Sequence, residues 1–354
     1  MSAPPVLGRR PVRLGPVSTV WRPRAVLVPV VLAVVALVLA AVDVGRGDYP
    51  IGVLDVLRIL AGDGEQADRF VVVELRLPRA LTALLVGLAF GMSGAILQSV
   101  ARNALASPDI LGITQGAGVG AVALIVLGGG ALGGVAEVVG PPVAALVGGL
   151  LAAVAIYLLA WRQGVSGFRL VLVGIAVSAV LTSTISYLLV VADFTEAASA
   201  TVWLTGSLNG RGWEHVVPLT VVLAVVGLLA MTGGATLSAL RLGDDSARAL
   251  GVRLQTGQAA QLGIAVVLAS VAVAAAGPVP FVALVAPQVA LRLVRSPGPP
   301  VLAGGLAGAV LVVGSDVVSR TLLPVELPVG VLTAALGAPY LLYLLARRTR
   351  RSDA

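Results

Sequence analysis

The 354-residue chain contains no cysteine. That absence excludes disulfides, thiolate metal sites and thiol nucleophiles together. Lysine is missing as well, so all 24 basic residues are arginine. A Walker A loop needs its lysine to reach the terminal phosphates of a nucleotide, and this chain therefore does not bind ATP in that way. Histidine occurs once, at His215. One imidazole without cysteine makes no metal site. It also leaves Ser93, in the sequence Gly91-Met92-Ser93-Gly94, without the positioned base that a serine nucleophile requires. His215 reads as an interfacial polar residue. Charge is scarce too: 12% of residues are charged, 58% are hydrophobic, and the mean hydropathy is +1.02. No soluble domain with a single hydrated surface sustains that balance.

What is present in quantity is long apolar sequence. Uncharged or nearly uncharged runs occupy 25–42, 80–101, 110–136, 138–161, 170–192, 216–240, 254–291, 296–315 and 327–346. About 20 apolar residues span the hydrocarbon as a helix. The run 254–291 is too long for one span and is interrupted by Gly277-Pro278-Val279-Pro280, where helical hydrogen bonding cannot continue. Divided there, the chain is an all-α membrane protein of ten spans. With the N-terminus inside, Arg9, Arg10, Arg13, Arg22, Arg24, Arg102, Arg162, Arg169, Arg241, Arg248, Arg253, Arg292, Arg295, Arg347, Arg348, Arg350 and Arg351 all fall on the cytoplasmic side, a strong positive-inside bias. Both termini are then cytoplasmic. The division is an Arg/Pro-rich tail at 1–24, a transmembrane domain at 25–346 and a basic tail at 347–354. The net charge of +7 follows from topology, because the arginines are scattered over loops and form no nucleic-acid surface. The first apolar run is read as an uncleaved span, and Arg9-Arg10 followed by Pro11 makes a poor twin-arginine signal.

The connections add detail. On the outside, Ile51–Leu60 has the apolar spacing of a short interfacial helix, and 193–214 carries Trp203 and Trp213, whose rings favour the headgroup region. Gly87-x-x-x-Gly91, Gly112-x-x-x-Gly116-x-x-x-Gly120 and Gly304-x-x-x-Gly308 are close-packing faces between helices. Asp316 and Arg320 stand four apart on one helical face, so a mutual salt bridge is the first expectation. On the inside, Asp244 and Asp245 open a short helix and Gly251 supplies the left-handed residue that ends it. Leu242, Ala247, Leu250 and Val252 are expected to form its apolar side.

Three stretches carry a resemblance. The first is Arg76-Leu77-Pro78-Arg79, then Gly87, Gly91, Gly94 and Gln98, then Arg102, Asn103, Leu105, Ala106, Pro108 and Gly112. The second is Gly277, Phe281, Val282, Leu284 and Pro287, with Gln288 where the pattern has His and the basic residue displaced to Arg292. The third is Asp316, Arg320, Glu326, Pro328, Gly330, Thr333, Gly337 and Pro339. In this order they resemble the permease subunits of FecCD-type ABC importers, with Ala104 replacing the usual proline of the first corner. Gln288 remains able, as an amide, to bond backbone freed by Pro287.

The resemblance implies a type II import permease fold of about ten helices. It implies a non-enzymatic transport subunit without cofactor or metal, working in the bacterial cytoplasmic membrane with lipid around it. Its partners are then a separate ABC ATPase, an extracytoplasmic substrate-binding protein and a second permease subunit, identical or similar. The implied cargo is a ferric siderophore, with cobalamin or haem as the related alternative. Arg76, Arg79 and Arg320 take the positions that receive carboxylates of the binding protein, a task suited to planar guanidinium groups. Leu242, Gly243, Asp244, Asp245, Ala247, Leu250 and Gly251 match the helix that docks on the ATPase. Asn103 and Leu105, with Gly167 and Phe168, match two cytoplasmic gate segments. The competing class, an ion-coupled secondary transporter, places ionisable residues in mid-membrane, and only Asp316 comes near that depth.

Overall fold

The computed structural model describes residues 11–14, 17–20, 23–46, 51–128, 135–162, 164 and 166–352. Parts of both expected tails, including Arg9, Arg10 and Arg22, lie outside the described residues, as does the end of the 110–136 run. Residues Pro11–Leu14 and Val17–Val20 pair as a small antiparallel hairpin, with Pro11 opposite Val20. Among the described residues every later element is helical: α1 (Pro23–Gly45), α2 (Val53–Leu60), α3 (Gln66–Phe70), a π-helical turn at Val71–Arg76, α4 (Leu77–Val100), α5 (Ile113–Leu127), α6 (Val135–Ala160), α7 (Gly167–Val191), α8 (Phe194–Leu204), α9 (Trp213–Thr232), α10 (Gly234–Arg241), α11 (Asp244–Ala249), α12 (Leu254–Ala276), α13 (Val282–Val294), α14 (Val301–Thr321) and α15 (Val329–Ser352).

Among the described residues, helices cover each of the ten apolar runs. Seven are long and apolar enough to cross a membrane, and α5, α13 and the apolar part of α15 are shorter. The run 216–240 is divided at Gly233 into α9 and α10. The expected short helix within 51–60 is α2, Val53–Leu60. The connection 193–214, read from sequence only as a loop with interfacial tryptophans, contains a further helix, α8, opened by an Asp193–Glu196 capping box.

The core lies around α4. This helix starts with Pro78 in its first turn, where a missing N–H costs nothing, and is buried without interruption from Ala89 to Val100. A helix that is apolar all round belongs inside a bundle, and α4 contacts α14, α12, α13 and α9. Its glycines set the distances. A Cβ on Gly91 would stand 2.1 Å from the carbonyl oxygen of Gly304, and one on Gly308 would stand 2.1 Å from that of Gly87. The two Gly-x-x-x-Gly faces thus pack on each other in antiparallel register. On the next turn a Cβ on Gly94 would meet the Ala283 carbonyl oxygen at 1.8 Å. In the other half of the bundle α5 meets α6 in the same manner, Gly116 on Gly148 and Gly120 on Ala144. Between helices in lipid the attraction is packing rather than hydrophobic burial, so close approach of small residues supplies the contact.

Helix ends inside the bundle are satisfied by neighbouring backbone. At the proline break, Gly277 adopts φ +72° and Phe281 φ +65°, so the chain turns sharply from α12 into α13. The loop after α8 folds against this turn: Ser207 donates its amide to the Ala276 carbonyl at 2.9 Å, and Gly330 donates to Gly206 at 3.1 Å. Gly206 is left-handed, and a Cβ there would stand 1.9 Å from the Pro278 carbonyl oxygen. Carbonyls released at a helix C-terminus need such donors where water is absent.

Replacing Gly91 or Gly94 by alanine is expected to drive α4 away from α14 or α13 at a cost of about 1–3 kcal/mol. Gly263→Ala, at a helical position with nothing within 4 Å of the added carbon, is expected to be neutral or slightly stabilising. Thermal unfolding of the detergent-purified protein measures the difference. Equal midpoints for the three variants contradict the packing account.

Candidate functional site

At the end of the bundle expected to face outward, three arginines bind the end of α1 and the last turns of α14. Arg79 donates Nε and Nη2 to the two carboxylate oxygens of Asp316, at 2.9 and 2.7 Å, a bidentate fork. The same guanidinium also meets the Glu326 carboxylate. Arg320 reaches instead to α1, donating to the Asp43 carbonyl at 3.1 Å and the Arg46 carbonyl at 2.7 Å, with the Asp43 carboxylate 3.4 Å away. Arg76 donates to the Val44 carbonyl at 3.1 Å. The expected Asp316–Arg320 bridge is therefore replaced by two inter-helix pairs. The reason is geometric: Asp316 faces α4 and Arg320, one turn later, faces the C-terminus of α1, whose orphan carbonyls attract cationic donors.

The three arginines do converge, but at depth. Arg79 and Arg320 are 12% and 11% exposed, whereas Glu326 is 45% exposed. Asp43 is fully buried and was missed in the sequence. Its signal was available as a carboxylate at the end of an otherwise uncharged run.

In the last turn of α4, the side-chain amide of Gln98 donates to the Leu284 carbonyl at 3.0 Å and lies 3.5 Å from that of Ala283. Pro287 has no N–H for the Ala283 carbonyl one turn before it, so Gln98 serves the backbone that the proline frees. Gln288 was expected in that role and instead donates to Gln98 Oε1 at 2.6 Å, holding it in place. Ser93 donates its hydroxyl to the Ala265 carbonyl at 2.7 Å, which ties α4 to α12 and leaves no nucleophile. The buried His215 ring accepts from Arg211 at 3.0 Å. Arg292 lies over the rings of Tyr340 and Tyr343, 5.4 and 5.8 Å from their centroids, a cation–π link from α13 to α15.

At the opposite end, expected to face inward, α4 finishes in a turn that holds Asn103 and Leu105, the residues that the resemblance matches to a first gate segment. Asn103 donates its amide to the Gln98 carbonyl at 3.2 Å, and its side-chain oxygen accepts from the Leu105 amide at 3.0 Å. Gly167, from the second gate segment, is flush against this turn: a Cβ there would stand 2.4 Å from the Ala101 carbonyl oxygen. Phe168 beside it is exposed. The structure thus brings the two segments together through Ala101 and Gly167.

The short helix α11 begins with Asp244 and Asp245, and Gly251 follows it at φ +82°, as expected. Its apolar side is divided. Leu242 and Leu250 are exposed, while Ala247 is fully buried. Ala247 therefore anchors the helix, and the flanking leucines are the surface it offers. Asp244 pairs with Arg102 in the turn that follows α4.

Between α5, α8, α12 and α15 a cleft of about 400 Å³ is lined by Asp109, Thr114, Gln115, Thr205, Pro278 and Gly330, among others. The Thr114 hydroxyl donates to Asp109 at 2.8 Å. Among the described residues no group of three His, Asp or Glu side chains is arranged to hold a metal ion.

Residues 32–347 match the FecCD transport family. The ferric enterobactin transport system permease protein FepG of Escherichia coli strain K12 is 38% identical over 330 residues, covering 93% of this chain and 98% of that protein. The achromobactin transport system permease protein CbrC of Dickeya dadantii strain 3937 is 42% identical over 323 residues, 90% of each. Among solved structures, an inward-facing conformation of a metal-chelate type ABC transporter superposes with a TM-score of 0.77 at 26% identity, covering 90% of this chain and 98% of that one. With the motifs in order from the first corner to α15 and matches running over nine-tenths of the chain, this multi-pass membrane protein belongs to the FecCD transport family.

Proposed function

We propose that the chain is the membrane-embedded permease subunit of an ATP-driven importer of ferric siderophores. The observation that carries this reading is the end-to-end likeness to permeases named for ferric enterobactin and achromobactin. The chain supplies a pathway without chemistry of its own. A separate ATPase docks on the inner face, an extracytoplasmic binding protein delivers cargo to the outer face, and a second permease subunit completes the passage. The domain 25–346 sits in the cytoplasmic membrane with both tails inside, in keeping with the arginine bias. Iron uptake measures the reading directly. Cells dependent on this chain, its ATPase and its binding protein are expected to take up radioiron from a siderophore and to lose that uptake when the chain is deleted. Retention of cobalamin or haem uptake alone favours the alternative cargo.

On the inner face, Leu242 and Leu250 flank α11 and are offered to the ATPase. Seating one leucine in a cleft is worth about 1.5–3 kcal/mol, or roughly ten- to a hundredfold in affinity. Leu250→Arg is therefore expected to leave the permease in the membrane and lower co-purification of the ATPase by that factor. Undiminished co-purification with normal uptake removes α11 from the interface.

On the outer face, the docking role of Arg76, Arg79 and Arg320 has to coexist with their internal partners. Asp316 and Asp43 are buried and fixed, and reversing the arginines would leave uncompensated buried charges, a loss of about 3–5 kcal/mol. Glu326 is different because it is half exposed and shares Arg79 with Asp316. A carboxylate from the binding protein reaches Arg79 by exchanging with Glu326. Glu326→Gln is accordingly expected to tighten binding-protein docking, by about fivefold for an exposed pair worth ~1 kcal/mol. The gain should shrink as salt is raised and the Debye length falls to about 8 Å. Unchanged affinity at low salt assigns Arg79 to structure alone.

A further inference from the structure

We infer that the Arg102–Asp244 ion pair is the joint that carries movement of α11 into the cytoplasmic gate turn. The inference rests on α11 being the docking element for the ATPase. Three observations meet at this pair. First, Arg102 reaches 142 positions along the chain to Asp244, and its guanidinium also lies 3.8 Å from where a Cβ on Gly243 would stand. It is the one link between the gate turn and the start of α11 among the described ion pairs. Second, Arg102 is held at φ +51°, a left-handed conformation that a long side chain adopts only where its surroundings require it. The turn accepts that conformation and thereby aims the side chain at α11. Third, the turn is stiff and is seated on the other gate segment. Asn103 is bonded on both sides, to Gln98 and Leu105, and Gly167 admits no side chain between itself and Ala101.

A solvent-exposed ion pair commonly contributes little to stability, and both partners here are about one-third exposed, 35% and 38%. Its position gives it a different role. α11 is attached to the bundle through buried Ala247, and at its opposite end through Asp244 to Arg102. A displacement of α11 toward or away from the membrane pulls on Arg102, and the rigid turn passes that displacement to Asn103, Leu105 and the first turn of α7. Arg102 and Asp244 are thus positioning residues for the gate; neither needs to touch cargo or nucleotide.

A double-mutant cycle in the reconstituted assembly of permease, ATPase and binding protein tests this. Arg102→Gln, Asp244→Asn and the double variant are each measured for ATPase co-purification, ATP hydrolysis and cargo moved per ATP. Each single variant is expected to retain the ATPase and to hydrolyse ATP, while cargo per ATP falls about tenfold. The double variant is expected to fall no further than the worse single, the non-additivity of two residues acting as one unit. Arg102→Lys, which keeps the charge without the planar fork, should restore part of the yield. Additive losses, wild-type yield in either single variant, or loss of ATPase co-purification in the singles all overturn the joint. Failure of the docking reading itself is seen separately, as normal ATPase co-purification with Leu250→Arg.

Because the native chain has no cysteine, a spin label on Leu105→Cys gives a second, transport-independent readout. The label is expected to move on ATP binding with Asp244 present and to stay still with Asp244→Asn. Equal movement in both overturns the inference.

Discussion

Backbone-to-backbone contact along α4 is the constraint on which the remaining structure depends. Gly87 and Gly91 touch the carbonyls of α14, and Gly94 touches that of Ala283 on α13. No side chain fits between these helices, so their separation is set by peptide groups. Peptide groups do not adjust in the way that side chains change rotamer, and the relative positions of α4, α13 and α14 are fixed accordingly. The polar residues of α4 then become meaningful. Gln98 reaches the carbonyls near Pro287 only because Gly94 lets α13 lie against its own turn.

The same fixed axis holds a cluster of polar and charged residues at each end. At its start, Arg76 and Arg79 are placed among the last carbonyls of α1 and the carboxylate of Asp316. At its finish, Arg102 and Asn103 are placed beside α11 and α7. One helix therefore spans the distance between the outer arginines and the gate turn. The ends differ in burial: the outer pairs are largely enclosed, whereas Arg102–Asp244 is partly open to water. Enclosed pairs resist exchange because an unpaired charge left behind is costly. An open pair can break and form again at little cost, which suits a joint that moves.

Much of the fold was legible from apolar run length. Among the described residues helices cover all ten runs, one of them as the pair α9 and α10, and the Gly-Pro-Val-Pro interruption is a real break. The Gly-x-x-x-Gly faces were recognisable as contact surfaces, and α2 and the Gly251 ending of α11 were readable from local chemistry. What was misread involved choosing a partner. Asp316 and Arg320 satisfy the helical spacing for a mutual bridge, yet each side chain is taken by another helix. Ala247 was grouped with Leu242, Leu250 and Val252 on one apolar side, yet it is buried while Leu242 and Leu250 are exposed. Gln288 was given the task that Gln98 performs. The loop helix α8 was overlooked because its apolar content resembles that of an interfacial loop, although its Asp193–Glu196 capping box was visible in the sequence.

Composition and run length alone determined that this chain is a helical membrane protein without thiol chemistry or a Walker A site, because those conclusions depend on which residues are present and how far apolar stretches extend. Motif order alone pointed to the family. Only the tertiary structure decided which charges meet, which glycines face which carbonyls, and that the turn after α4 is linked to α11 through Arg102. The physical reason is that a helix fixes the direction of a side chain but not its neighbour. Residues 79 and 316, or 102 and 244, become partners only once the packing distance between helices has been set.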